Sequence, residues 1–167
     1  SAPMRETPAE PAPPPDDLVP GTLVLLVGPS GSGKSTWAAA HHAPTEIVSS
    51  DALRAAVADD PTDQEATADA FRLLHAIVRA RLKRGRTTVV DATNLTDGAR
   101  RPLLALAARF ERPVVAVVFD PPLETCLARN AARPGRSVPD EVVRLHHAQL
   151  PGAVAALRRA GVPILRP

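Results

Sequence analysis

The sequence predicts an α/β fold in which a parallel sheet of about five strands is flanked by helices. Short apolar segments rich in valine and leucine alternate along the chain with longer segments of helical periodicity. Strands joined by helices of this length require right-handed crossovers, which make neighbouring strands parallel. A chain of 167 residues fills one core of ordinary size but not two. We therefore expect one domain over residues 21–167, preceded by a disordered, proline-rich leader at residues 1–20.

The first half of the domain begins with a strand at residues 22–27, TLVLLV, which is apolar and rich in β-branched side chains. A glycine-rich loop follows, and the helix formers after it predict a helix from Lys34 to about His42. A second, shorter strand is predicted at residues 45–50, and a brief helical segment at residues 52–58.

A long helix is predicted at residues 64–84. Thr62 to Glu65 have the sequence of a capping box after a stop at Pro61, and Gly85 ends the helix. The side chains at helical spacing on its apolar face are Phe71, Leu74, Ile77, Val78 and Leu82.

The second half continues the alternation and contains an uninterrupted apolar run typical of a strand buried on both faces of a parallel sheet. Its predicted elements are a strand at 87–91, a helix at 95–110, the apolar strand at 114–120, a helix from 121 to 133, a long helix at 139–159 and a fifth strand at 162–165.

The loop from Gly28 to Ser35 fits the pattern G-x-x-x-x-G-K-[ST] without a gap. Glycines let backbone N–H groups turn inward around phosphate oxygens, and the following helix adds its positive N-terminal end. The pattern predicts a site for ATP or another nucleoside triphosphate (NTP), with Lys34 at the β- and γ-phosphates and the Ser35 hydroxyl on Mg²⁺. The alternative is a glycine-rich turn that only packs a strand against a helix. The predicted nucleotide-binding residues of the loop are Gly28, Ser30, Gly31, Ser32, Gly33, Lys34, Ser35 and Thr36.

Asp91 closes the apolar strand TTVVD, which is the arrangement of a Walker B carboxylate. Ligands of open parallel sheets bind beyond the carboxyl ends of the strands. We therefore expect Asp91 to hold Mg²⁺ together with Ser35. The alternative is a strand-end aspartate that caps the following turn.

Asp51 and Arg54 follow the second strand and should lie at the same edge of the sheet. In an enzyme that transfers the γ-phosphate to an alcohol, a carboxylate near the attacking oxygen accepts its proton, and a nearby cation grips an anionic part of the acceptor. Asp51 fits the first role and Arg54 the second. The spacing is equally consistent with an alternative in which Asp51 only caps a helix and Arg54 lies on its solvated face.

Three arginines, Arg129, Arg133 and Arg136, lie just past the fourth strand. The first two are spaced to share a helix face, and the third follows a Pro-Gly break, so all three can converge on one anion. We expect a mobile lid over about residues 123–138 whose arginines bind the nucleotide phosphates and offset the charge that develops in phosphoryl transfer. The alternative is again a solvated helix face.

Composition argues against other kinds of site. A single cysteine excludes an internal disulfide and a cysteine-based metal cluster, and the net charge of +2 creates no overall field for nucleic acid. Three Phe, one Trp and no Tyr disfavour base-stacking platforms. The adjacent pairs His41-His42 and His146-His147 do not face one ligand, and we predict no zinc site. No apolar stretch approaches a membrane span and no signal peptide is recognisable, so we expect a cytoplasmic protein without membrane contact.

The ordered set of segments resembles a known family. IVSSD with Arg54, DDPTDQEATADAF, TTVVDATN followed by ARRPLL, and AVVFDPPLETCLARNAAR are similar to the 5′-kinase domain of the bacterial polynucleotide kinase-phosphatase-ligase, an RNA end-healing and sealing protein. The resemblance covers residues 22–165. It implies a P-loop NTPase with an adenylate-kinase-like parallel sheet, flanking helices and an arginine lid. It also implies NTP- and Mg²⁺-dependent phosphorylation of the 5′-hydroxyl ends of RNA or DNA.

The resemblance also implies roles for individual residues. Lys34 and Ser35 match the family's loop residues, Asp51 matches its general base for the 5′-hydroxyl, and Arg54 matches an arginine of the acceptor site. Gln64 matches a further position near the acceptor, and the lid arginines are matched by Arg129, Arg133 and Arg136. The family protein continues into a metallophosphatase and a ligase-like adenylyltransferase, so the implied partners are those domains of a longer parent and a second copy in a homodimer.

Two other functions stay open at this stage. A P-loop kinase for a small-molecule alcohol would share the loop, the aspartate after the second strand and the arginine lid. A nucleotide-dependent switch that signals by lid closure would need no acceptor, and therefore neither Asp51 nor Arg54.

Overall fold

Five parallel strands form one sheet in the computed structural model, which describes residues 18–167. The strands are β1 (Leu23–Val27), β2 (Ile47–Ser49), β3 (Thr88–Asp91), β4 (Val114–Val118) and β5 (Ile164–Leu165). Their order across the sheet is β2-β3-β1-β4-β5, and every neighbouring pair is parallel. The predicted α/β class with a five-stranded parallel sheet is confirmed. Residues 1–17 of the predicted leader lie outside the described part of the chain.

Helices connect the strands and cover the sheet. Those within the described part of the chain are α1 (Lys34–His41), α2 (Ser50–Ala58), α3 (Thr67–Lys83), α4 (Asp97–Arg109), α5 (Leu123–Ala131) and α6 (Asp140–Arg159). Within residues 18–167, no helix combines the length and the apolar character needed to cross a membrane.

The central strand β1 is completely buried, and its side chains alternate between two apolar clusters. Leu23, Leu25 and Val27 join the larger cluster, which includes side chains of α3, α4 and α6. Val24 and Leu26 join the smaller one with Ala38 of α1 and Phe119. The strand that leads into the glycine-rich loop is therefore held from both faces and by hydrogen-bonded neighbours on both edges.

Most predicted boundaries shift by a few residues, but the start of α2 changes the position of a site residue. The Ser49 hydroxyl accepts a hydrogen bond from the Ala52 N–H at 3.2 Å and so caps the helix from within the strand end. Asp51 consequently lies in the first turn of α2 rather than at the end of β2.

Two expectations for the long helix are wrong. The capping residue is Asp63, whose carboxylate accepts from the Glu65 N–H at 2.9 Å and opens a short 3₁₀ turn before α3. Thr62 instead donates its hydroxyl to Asp60. Ile77 is 39% exposed, and Ala70 takes its place on the buried face.

Candidate active site

The glycine-rich loop joins β1 to α1 and makes two left-handed turns, at Gly31 (φ 78°) and Gly33 (φ 97°). Residues that carry a side chain rarely adopt this backbone conformation, which is one reason for glycine at both positions. Space is the second reason at Gly31, because a Cβ atom there would overlap the carbonyl oxygen of Cys126. The loop is thus in close contact with α5, the helix that carries the predicted lid.

Lys34 lies in the first turn of α1 with its ammonium group folded back over the loop. Its Nζ donates to the carbonyl oxygens of Gly28 at 3.0 Å and Pro29 at 2.8 Å. The pKa of Lys34 is lowered to about 8, chiefly by burial and also by the nearby Arg133 guanidinium, while the carboxylates of Asp91 and Asp51 counteract part of this effect.

Ser35 and Asp91, the predicted metal pair, are in direct contact. The Ser35 Oγ donates a hydrogen bond to Asp91 Oδ2 at 2.7 Å. Asp91 ends β3 and is almost fully buried. A hydroxyl and a carboxylate oxygen are ligands that Mg²⁺ accepts, so the chemistry of this pair fits the ion.

Asp51 is held between two arginines. Arg54, one turn later on α2, donates from Nη1 to Oδ1 at 2.9 Å, and Arg133 donates from Nη2 to Oδ2 at 3.3 Å. Arg54 is itself fixed by a hydrogen bond to the Thr67 hydroxyl and by its position over the Phe71 ring. The carboxylate therefore lies among cations that could also bind phosphate.

The predicted lid differs from expectation at one arginine. α5 ends at Ala131, so Arg133 lies in the turn beyond the helix and does not share a helix face with Arg129. Arg129 remains in the last turn and donates to the Ser32 carbonyl at 3.3 Å. The chain turns directly after α5, and Pro134 and Gly135 follow within a few residues. A helix does not continue through this pair, because proline and glycine both interrupt helices.

Two neighbouring depressions unite the predicted residues. The first, called the donor depression because predicted nucleotide-binding residues line it, is formed by Gly31, Gly33, Lys34, Ser35, Thr36, Arg129 and Arg133. The second lies beside it and is called the acceptor depression because the predicted acceptor residues line it. Its polar lining includes Ser30, Lys34, Ser35, Ser50, Asp51, Arg54, Thr62, Gln64, Asp91, Thr93, Arg133, Arg136 and His146. Lys34, Ser35 and Arg133 line both, so a group bound in one depression would meet a group bound in the other.

Three predicted residues occupy peripheral positions. Gly28 packs against Phe119 beneath the loop, and Ser32 is buried. Gln64 lies at the rim of the acceptor depression, where its Nε2 donates to the Thr62 carbonyl at 3.0 Å.

Sequence reasoning missed three residues around the loop. Asn94, just past β3, donates to the Leu26 carbonyl at 2.7 Å, and Asn130 of α5 bonds both backbone groups of Val138. His146 of α6 accepts a hydrogen bond from the Ser30 N–H. For Asn94 a signal existed, because it directly follows the strand-end aspartate in DATN. The other two have none, since only the folded chain brings them to their partners.

Comparisons with known proteins agree with the loop and the sheet. A model of a family described as AAA domain (AAA_33) matches residues 23–157. A chain of the Pnkp1/Rnl/Hen1 RNA repair complex is 25% identical with a TM-score of 0.69, and the match covers 81% of this chain and 45% of that one. This chain therefore spans less than half the length of that relative. No curated protein sequence matches the chain.

Two small-molecule kinases share the fold at lower identity. A gluconokinase from Sinorhizobium meliloti 1021 is 23% identical with a TM-score of 0.54, covering 88% of this chain and 81% of that one. The APS kinase CysC of Mycobacterium tuberculosis, solved with AMPPNP and APS, is 23% identical with a TM-score of 0.52, covering 89% and 76%. The common architecture is a P-loop kinase fold.

Proposed function

The chain belongs to the AAA domain family AAA_33, and from that premise we propose that it is a kinase that transfers the γ-phosphoryl group of ATP, or of another NTP, to the 5′-hydroxyl end of RNA or DNA. The observation that carries the proposal is the Asp51 carboxylate, held by Arg54 and Arg133 beside the loop lysine. The negatively charged phosphates of a nucleotide would repel the Asp51 carboxylate. A carboxylate in that position is therefore suited to bind the hydroxyl of an acceptor alcohol.

The transfer follows from the roles of these residues. The 5′-oxygen attacks the γ-phosphorus, the bond from that phosphorus to the β,γ-bridging oxygen breaks, and the nucleoside diphosphate leaves. The proton of the 5′-hydroxyl passes to Asp51. Lys34 and the lid arginines Arg129, Arg133 and Arg136 offset the charge on the phosphates as the bond breaks.

Ser35 and Asp91 are the residues that would hold Mg²⁺. When bound, the ion neutralises charge on the β- and γ-phosphates. Their hydrogen bond keeps the hydroxyl and the carboxylate together where the two depressions meet, since Ser35 lines both and Asp91 lines the acceptor depression. The protein places the Ser35 hydroxyl and the Asp91 carboxylate close to Lys34. Ser35 follows Lys34 directly in the first turn of α1.

A polynucleotide acceptor is supported by the cations of the acceptor depression. Arg54, Arg136 and the amide of Gln64 line it together with Asp51, and such groups suit the phosphodiester that follows a 5′-terminal nucleoside. The chain of the RNA repair complex also has a higher identity and a higher TM-score than the gluconokinase and the APS kinase. In this role the domain acts in the cytoplasm, as a homodimer or beside the phosphatase and ligase activities that complete end repair.

A small-molecule alcohol is the second candidate acceptor, favoured by the fold shared with a gluconokinase and an APS kinase. Labelled ATP offered with 5′-hydroxyl RNA, 5′-hydroxyl DNA and a set of sugar alcohols distinguishes the two. Label on the oligonucleotides supports the proposal, and label only on a small alcohol contradicts it. ATP hydrolysis without any acceptor would indicate a switch.

The variant Asp51→Asn tests the role of the base. We expect its transfer rate to fall by about 10²- to 10⁴-fold, the usual value of general-base help. Binding of NTP should be retained or become tighter, because Asp51 does not line the donor depression and its carboxylate competes with the phosphates for Arg133. Initial rates of end labelling and equilibrium titration with a nucleotide analogue measure the two quantities.

Asp69→Asn is the matched control. Asp69 also lies in the first turn of a helix and also bonds an arginine three residues on, Arg72, but this pair is exposed on α3. The control should keep the rate of wild-type protein. An Asp51 variant that is as active as the Asp69 variant would remove Asp51 from the mechanism.

A further inference from the structure

His146 is a residue of the acceptor depression that the proposed mechanism does not use. It lies on α6, and its Nδ1 accepts a hydrogen bond from the Ser30 N–H of the glycine-rich loop at 3.3 Å. The two residues are 116 positions apart in the sequence. This contact therefore connects the last long helix directly to the phosphate loop.

The contact defines the chemical state of the imidazole. A ring nitrogen accepts a hydrogen bond only when it carries no proton, so the neutral ring has its proton on Nε2. Burial lowers the pKa of His146, and the positive charge of Lys34 lowers it further. Both effects favour the neutral ring that the contact with Ser30 requires.

The Ser30 N–H belongs to the peptide group that joins Pro29 to Ser30, so His146 holds the N–H side of a peptide whose carbonyl side is bonded within the loop. Pro29, before it, has no N–H, and its carbonyl accepts the Lys34 ammonium and the Ser32 N–H. The next residue, Gly31, is a left-handed turn. A fixed Ser30 peptide therefore helps to determine where the following N–H groups and the Lys34 ammonium point.

We propose that His146 is a positioning residue that holds the Ser30 peptide, and with it the phosphate loop, in the orientation needed for phosphoryl transfer. This inference rests on the proposed function for its kinetic consequence, but not for the contact itself. His146 acts through Ser30 and touches neither the reacting oxygen nor the γ-phosphorus in this role. Its effect is expected on the rate of the bound complex rather than on the affinity for the acceptor.

Three variants separate positioning from simple packing. His146→Ala removes the acceptor nitrogen, whereas His146→Asn places an amide oxygen near the position of Nδ1 and restores the hydrogen bond. The adjacent His147→Ala is the matched control on the same helix. We expect kcat of the alanine variant to fall about five- to tenfold, as for one lost hydrogen bond in the transition state.

The other kinetic parameters make the test specific. KM for the 5′-hydroxyl oligonucleotide should change less than twofold in His146→Ala, and kcat should recover most of its value in His146→Asn. Equal kcat in the His146→Ala and His147→Ala variants would overturn the inference. A general loss of stability that the asparagine does not rescue would overturn it as well.

A second measurement does not depend on the acceptor. Hydrogen exchange of the Ser30 amide, followed by NMR on the nucleotide-free protein, should be slow in the wild type and in His146→Asn and faster in His146→Ala. An exchange rate that is the same in all three proteins refutes the positioning contact. If the wild type phosphorylates no 5′-hydroxyl end, the proposed function fails, and the exchange rates still decide the inference about His146.

Discussion

Lys34 illustrates at the residue scale how burial changes the chemistry of a side chain. Its pKa is lowered to about 8, from 10.5 for an exposed lysine, because the ammonium lies in a nearly closed environment. Between these two values the unfolded chain binds more protons than the folded one. Burial of Lys34 therefore costs stability below pH 8, and the cost disappears as the pH rises through 8 towards 10.5.

The same shift predicts proton uptake on nucleotide binding. The phosphates bring negative charge to Nζ and raise its pKa, so at pH 8 the protein should take up about half a proton per bound NTP. Calorimetric titration in two buffers of different ionisation enthalpy measures this number. Lys34→Arg serves as the control, because a guanidinium stays protonated, and unchanged uptake in this variant would assign the proton to another group.

The residues that the sequence could identify are those whose partners are close in the chain. Lys34 and Ser35 belong to one loop, and Asp91 was recognisable because an apolar strand ends on it. The second arginine on Asp51 is 82 residues away, and the histidine on Ser30 is 116 residues away. Such pairs depend on how the helices pack, and no local pattern encodes them.

At the scale of elements, the important contact is between the phosphate loop and α5. Gly31 touches the backbone of α5 so closely that no side chain fits between them. Asn130 of the same helix is buried and holds Val138 through both backbone groups, at 2.7 and 3.0 Å. The helix and the turn after it are therefore fixed to the loop on one side and to the start of the α6 segment on the other.

Gly31→Ala tests this contact. We expect a loss of about 1–3 kcal/mol in the free energy of unfolding, because alanine is strained at this positive φ, and the overlap with Cys126 adds to the loss or displaces α5. Denaturation in urea measures the change. The control is Gly98→Ala, where an added Cβ meets no atom within 4 Å and alanine suits a helix better than glycine.

A Gly31→Ala protein that is as stable as the Gly98→Ala protein would mean that α5 moves away from the loop at little cost.

The sequence could predict the helix α5 from the prolines that precede it, but not the residue at which it ends. The predicted helix continued to Arg133. In the structure α5 ends at Ala131, and the turns that follow place Arg133 within hydrogen-bond distance of Asp51. Helix ends depend on tertiary contacts such as that of Asn130, which periodicity does not report.

At the scale of the whole molecule, the donor and acceptor depressions are one system. They share Lys34, Ser35 and Arg133, and the last of these bonds the Asp51 carboxylate. A γ-phosphate competes with Asp51 for the Arg133 guanidinium, because both are anions within its reach. Binding of the nucleotide should therefore free one oxygen of the carboxylate.

This competition predicts coupling between the two ligands. A non-hydrolysable ATP analogue with Mg²⁺ should tighten binding of a 5′-hydroxyl oligonucleotide by about fivefold or more, within the usual range of such couplings. Fluorescence titration with and without the analogue gives the ratio. Arg133→Gln should abolish the coupling, whereas Arg144→Gln, on the exposed face of α6, should preserve it. Equal coupling in both variants would separate Arg133 from the effect.

The double hydrogen bond between Asn130 and Val138 has a mechanical consequence for the lid that we propose. It closes the intervening residues into a ring, so this stretch cannot extend or shorten during closure. Because α5 is held against the loop at Gly31, we expect movement at the two ends of this stretch, after Ala131 and at residues 139–140, rather than of α5 itself. Arg133 and Arg136 both lie inside this ring, so a movement of the stretch towards a bound nucleotide would carry the backbones of both arginines together.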